Sequence, residues 1–124
     1  MSLEWTSKCK DAEFQVQGSE IIVAFSDERS HKLSVQETDD AYLLTAVVAW
    51  PSVVAQIPEL AMSAWQRNRA ISLIGFRIDK RGRLIAESSV PKAGLSAEEF
   101  QFHVKHLAIE ADRYEYMLSG KDTH

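Results

Sequence analysis

Ser96 and Glu99 form the pattern S-x-x-E immediately ahead of an apolar run. In such a pair the serine hydroxyl accepts the N–H three residues on, and the glutamate reaches back to the serine N–H, so a helix start is fixed from both sides. Pro91 and Gly94 interrupt the chain just before it. The helix opened there is predicted to run to about Leu118, with Gly120 as its stop. Phe100, Val104, Leu107, Ala108, Ala111, Tyr114 and Leu118 recur along it at the spacing of one buried face. A long terminal helix with a continuous apolar stripe needs a broad apolar surface to lie on.

The preceding residues supply that surface as strands. Glu13–Gln17, a Gly18-Ser19 turn and Glu20–Phe25 read as a hairpin, in which Ile21, Val23 and Phe25 alternate with Ile22 and Ala24. Ser26 to Ser30 is turn-forming. Leu33, Val35 and Glu37 then alternate with Lys32, Ser34 and Gln36, which predicts an antiparallel strand with one wet face. After the Thr38-Asp39-Asp40 turn, Ala41–Trp50 is β-branched, aromatic and nearly uncharged, hence a more central strand, ended by Pro51.

From Ser52 to Arg69 the spacing turns helical, with Val53, Val54, Ile57, Leu60, Ala61, Ala64, Trp65 and Asn68 on one broad stripe. Pro58 is expected to open the main helix at its first position, where a missing N–H costs nothing. Ile71–Ile78 and Arg83–Val90 are predicted strands joined by Asp79-Lys80-Arg81-Gly82, with Gly82 supplying the positive φ of a short loop. Leu3, Trp5, Cys9 and Ala12 have a weak helical spacing, suggesting a short N-terminal helix or an arm laid over the core. The expected fold is α+β: an antiparallel β-sheet of five or six strands flanked by helices, in the order (α)β(β)ββαββα.

Composition narrows the class. At 124 residues, 45% apolar and 26% charged, the chain is expected to form one globular domain over residues 1–124. No apolar run approaches the roughly 20 residues of a membrane span, so no membrane partner is expected. A net charge of -4 leaves no basic excess for a phosphate backbone, so nucleic acid is not an expected partner either. The single cysteine, Cys9, cannot form an internal disulfide, and no basic-then-apolar leader opens the chain. A cytoplasmic location is the expectation.

The last helix carries a second pattern. At about 100° per residue, Phe102, Ile109 and Tyr116 recur on the face opposite the core stripe, with His106 and Arg113 beside them. A surface helix needs one apolar stripe, so a second calls for a cover: the N-terminal arm, a second copy of the chain, or a peptide partner. Aromatic residues beside arginine are also the composition of binding surfaces. Phe102, His106, Ile109, Arg113 and Tyr116 are therefore the predicted interface residues, in a homodimer or with a protein partner.

Chemistry is sparse by comparison. His103 and His106, with Glu99 or Glu110 one turn away, are the one candidate metal centre, against the plainer reading of a solvated helix face. His31 lies near a turn and His124 at the tail, and neither adds a ligand. Cys9 has no nucleophile signature around it. Asp39-Asp40, Glu98-Glu99 and Glu110 with Asp112 read as ordinary turn, cap and helix-face acids. Lys80, Arg81 and Arg83, with Arg77, Arg67 and Arg69 nearby, read as a solvated hairpin tip in preference to an anion site. There is no G-x-G-x-x-G, no Walker loop and no G-x-S-x-G. No catalytic residue, cofactor or resident metal is expected.

The stretch from Gln66-Arg67-Asn68 onward has a further order. Gly75-Phe76-Arg77-Ile78-Asp79-Lys80-Arg81-Gly82-Arg83-Leu84 is followed by Val90-Pro91 and then by Gly94-Leu95-Ser96-Ala97-Glu98-Glu99-Phe100 opening the long helix. This resembles the YbjN family of proposed bacterial sensory transduction regulators and, more distantly, the type III secretion chaperones of the Tir-chaperone kind. The resemblance covers the last half of the chain and, more loosely, residues 20–65. It implies a secretion-chaperone-like α+β fold, commonly dimeric in the chaperones, with no catalytic residues to carry over and with protein binding as the function.

Overall fold

The computed structural model describes residues 14–25, 30–70 and 73–119. The expected N-terminal helix or arm, Cys9, Gly120 and His124 lie outside them. Strand β1 (Phe14–Gln17) turns at Gly18-Ser19 into β2 (Glu20–Ala24), with Gln17 opposite Glu20. Gly18 takes φ 61°, the left-handed conformation that a two-residue hairpin favours. β3 (Ser30–Glu37) and β4 (Ala41–Ala49) follow, then the one-turn helix α1 (Pro51–Val54) and helix α2 (Leu60–Ala70). β5 (Gly75–Ile78), β6 (Leu84–Pro91) and the long helix α3 (Ala97–Ser119) complete the chain. The six strands form one sheet in the order β1-β2-β3-β4-β6-β5, every neighbouring pair antiparallel. The α+β architecture is the one expected.

Alternation assigns the two faces. Ile21 and Val23, Leu33 and Val35, Tyr42, Leu44, Ala46 and Val48, and Leu84, Ala86 and Val90 are buried on the inner face. Helix α3 lies on it with Phe100, Val104, Leu107, Ala108, Ala111 and Tyr114 all fully buried, the stripe that the spacing predicts. The Phe100 ring meets Tyr42 edge-on at 5.5 Å, and Tyr114 meets Phe76 edge-on at 5.1 Å. The capping box is present: the Glu99 N–H donates to Ser96 Oγ at 3.1 Å, and the Ser96 N–H donates to Glu99 Oε1 at 2.9 Å. Hydrogen bonding to the Glu99 carboxylate from the Ser96 backbone N–H first, and from the Ser96 side chain second, holds that carboxyl below its ordinary range.

The segment after β4 differs from its expected form. Pro51, not Pro58, occupies a helix start, and the chain turns through residues 55–59 before α2 begins at Leu60. Pro58 disfavours helical geometry at the residue before it, and Glu59 adopts a positive φ of 64°, so one continuous helix cannot form. Of the expected stripe, Leu60 and Ala64 are buried and Val53, Val54 and Ile57 are half-buried against the core, while Ala61 and Trp65 face outward. The strand expected from Ile71 is shortened to Gly75–Ile78, with Leu73 just ahead of it at φ 71°.

Asn68 fastens α2 to the sheet edge. β5 is the outermost strand, and an edge strand presents backbone groups that lack a strand partner. The Asn68 side chain accepts from the Phe76 N–H at 2.6 Å and donates to the Phe76 carbonyl at 3.0 Å. Asn68→Ala strands both groups, and urea unfolding should show a loss of about 1–3 kcal/mol. A loss below a few tenths of that would show that the amide does not hold the edge.

Candidate protein-binding surfaces

Leu60 and Ala64 of α2 join the same core cluster as the α3 stripe, so the two helices share one side of the sheet. On the other face most side chains remain accessible among the described residues, the exception in the centre being Ile85, which is buried. Lys32, Ser34 and Gln36 of β3 are exposed, and Leu43, Thr45 and Val47 of β4 are half-buried. Pairing sets these side by side: Ser34 faces Thr45, Thr45 faces Glu87, and Val47 faces Ile85, which faces Arg77. The result is a cleft of about 530 Å³ whose apolar strip of Leu43, Val47, Ile85 and Trp50 is edged by Glu20, Lys32, Arg77 and Arg83. Trp50 is largely exposed, and the Arg83 guanidinium lies 6.0 Å from its ring centroid.

The basic hairpin beside this cleft is matched by carboxylates. Arg77 Nε donates to Glu87 Oε1 at 2.6 Å, and that bond raises the guanidinium's pKa above its ordinary value. Asp79 Oδ1 accepts from the Arg81 and Arg83 N–H groups, and its Oδ2 takes the Arg83 side chain at 2.8 Å. Burial pushes the Asp79 carboxyl up, but these donors outweigh it and hold the carboxyl below its usual range. Gly82 closes the turn at φ 80°.

The second α3 stripe stands at the surface. Phe102 is 55% exposed and Ile109 42%; Arg113 is exposed, and His106 and Tyr116 are half-buried. The Phe102 ring stacks on His106 at 5.6 Å and 8°, and meets His103 edge-on at 5.5 Å. Arg113 leans towards Glu110, 3.3 Å away. The His103–His106 pair gains no third donor among the described residues. His103 Nδ1 is instead buried with no hydrogen-bond partner among them. Burial first, and the neighbouring His106 second, push the His103 pKa down, against a weaker pull from Glu99.

The structure also places two residues differently from their sequence reading. His31, passed over as a turn neighbour, is only 7% exposed and lies in the inward register of β3 with Leu33 and Val35. Asp112, expected on a solvated helix face, is 8% exposed. His31 Nε2 donates to the Val47 carbonyl at 2.9 Å, and His31 Nδ1 lies 3.6 Å from Asp112 Oδ1 and 3.6 Å from Glu115 Oε1. Extending the β3 alternation one step back would have found His31; its approach to α3 is a tertiary contact with no local signal.

The lowered pKa of His103 has a definite sign. As the pH falls through about 6.5, the unfolded chain takes up a proton that folded His103 resists, so stability is lost on the acid side. Urea unfolding at pH 7.5 and pH 5.5 should show a smaller acid loss in His103→Gln than in the wild type. Equal losses would exclude His103 as a source.

No family model matches the chain, and no curated protein matches it significantly. Solved structures do. A chain of the heterodimeric ExoU–SpcU complex from the type III secretion system of Pseudomonas aeruginosa is 13% identical, with 93% of this chain and 95% of that chain covered and a TM-score of 0.62. A chain of the complex between the Yersinia pestis type III secretion chaperone SycH and a stable fragment of YscM2 is 12% identical, with 87% and 91% covered and a TM-score of 0.53. YbjN from E. coli, described as a candidate transcription regulator, is 15% identical, with 97% and 88% covered and a TM-score of 0.57. At these identities the likeness is one of fold, and the fold is that of the type III secretion chaperones and YbjN.

Proposed function

We propose that this protein is a non-enzymatic, chaperone-like protein-binding module of the bacterial cytoplasm, which holds a segment of a partner protein against its open sheet face. The observation that carries this reading is the one-sided packing of the sheet. With α2 and α3 on the inner face, the outer face keeps, among the described residues, an apolar strip with Trp50 and Arg83 at its end, residue types that dominate binding hot spots. A chain laid across that strip would cover Leu43, Val47 and Trp50, with the already buried Ile85 as its floor, while its polar groups met Ser34, Thr45 and the charged edge. Similar folds solved in complex with protein partners support the same reading. They also favour a narrower version, a dedicated secretion chaperone. The likeness to YbjN, described as a candidate transcription regulator, supports a regulatory role, which we propose is exerted by protein binding.

We further propose self-association through α3. Phe102 and Tyr116 lie seven residues either side of Ile109. A twofold axis through Ile109 therefore sets Phe102 of one copy against Tyr116 of the other, the self-complementary contact that a dimer requires.

The test is capture from a native extract by the immobilised full chain, beside a Leu43→Lys plus Val47→Lys variant with an unchanged circular dichroism spectrum. A specific partner recovered by the wild type and reduced at least tenfold in the variant is the expected result. Equal recovery by the two proteins, or no specific partner, would overturn it.

A further inference from the structure

We infer that His31, Asp112 and Glu115 form a binding site for one divalent first-row transition cation such as Zn2+, a role that goes beyond the protein-binding reading. Strand β3 delivers His31 and helix α3 delivers both carboxylates, which are three residues apart and so share one helix face. The site spans the interface between sheet and helix. His31 and Asp112 are buried there, while the Glu115 side chain is 49% exposed.

The orientation of the imidazole carries the argument. A backbone carbonyl can only accept, so the 2.9 Å contact with Val47 puts a hydrogen on Nε2 and leaves the lone pair of the neutral ring on Nδ1. That is how an outer partner fixes the tautomer and ring angle of a metal-binding histidine. Nδ1 then faces two carboxylate oxygens, each at 3.6 Å. A divalent cation seated between them would take that lone pair and one oxygen of each carboxylate together. A proton on Nδ1 would draw a carboxylate to about 2.7–2.9 Å, shorter than either separation. Two donors each about 2.1 Å from a tetrahedral ion stand about 3.4 Å apart, close to the distances found. All three donor atoms lie within 4.8 Å of one another.

The donor set chooses the ion. One imidazole nitrogen with two carboxylate oxygens suits Zn2+ and its first-row neighbours, whereas Ca2+ and Mg2+ favour all-oxygen shells. His31 and Glu115 both line the open-face cleft, which gives the ion a route in, and the fourth tetrahedral position is left to water.

The experiment uses the full chain without an affinity tag, stripped with EDTA and titrated with Zn2+ against a chromophoric chelator. One Zn2+ per chain is expected, with affinity at least tenfold weaker in Glu115→Gln and in Asp112→Asn, and unchanged in a His103→Ala plus His106→Ala variant. Because Glu115 is half-exposed, its substitution tests the site without disturbing core packing. Co2+ in place of Zn2+ should give the visible bands of a tetrahedral site, lost in Glu115→Gln. The proposal is overturned by any of three results: no stoichiometric Zn2+, an affinity that Glu115→Gln leaves unchanged, or binding that depends on His103 and His106.

Discussion

Burial of the α3 stripe against the inner face of the sheet is the contact on which the other elements depend. Six residues of that stripe are fully buried, and each large apolar side chain removed from water contributes about 1.5–3 kcal/mol before the entropy of ordering is subtracted. Tyr114 extends the contact to the rest of the chain. Its ring packs on Phe76 of β5, its hydroxyl pairs with Ser63 of α2 at 2.8 Å, and the Arg67 guanidinium covers it at 4.4 Å. Arg67 also approaches Glu110 of α3. One aromatic residue thus ties the edge strand, the short helix and the long helix together, and Asn68 closes the same corner through the backbone of β5.

A sheet covered on one side has a physical consequence. Among the described residues the inner face is closed by helices and the outer face is not, so the outer face combines polar side chains with a limited apolar strip. β3 supplies the polar part with Lys32, Ser34 and Gln36, and β4 and β6 supply the apolar part with Leu43, Val47 and Ile85. The arginines around the strip are held by Glu87 and Asp79, which favours a surface that positions a mixed peptide over one that attracts a strongly charged ligand.

Much of this was legible in the sequence. Period-two alternation in β2 and β3 gives those strands and their inner residues, and the Ser96–Glu99 box with the stripe from Phe100 gives α3 and its buried face, because both signals are local. The break before α2 was not, since the helical spacing runs through Pro58 and the turn depends on Glu59 reaching a left-handed conformation. The second α3 stripe was legible as an apolar pattern, and the structure places Phe102 and Ile109 at the surface. The wet face of β3 was legible, but its continuation across β4 was not, because Leu43 and Val47 look like core residues in a nearly uncharged strand. The meeting of His31 with Asp112 and Glu115 was hidden for another reason: it joins positions 81 and 84 residues apart, and only the packing of α3 across β3 brings them together.

The most direct test of the account is the solution mass of the tag-free protein by light scattering, run beside a Phe102→Asp plus Ile109→Asp variant. The account predicts a particle of twice the 14.0 kDa chain mass for the wild type and a folded single chain for the variant. A monomeric wild type, or a dimer that the variant leaves intact, would contradict it.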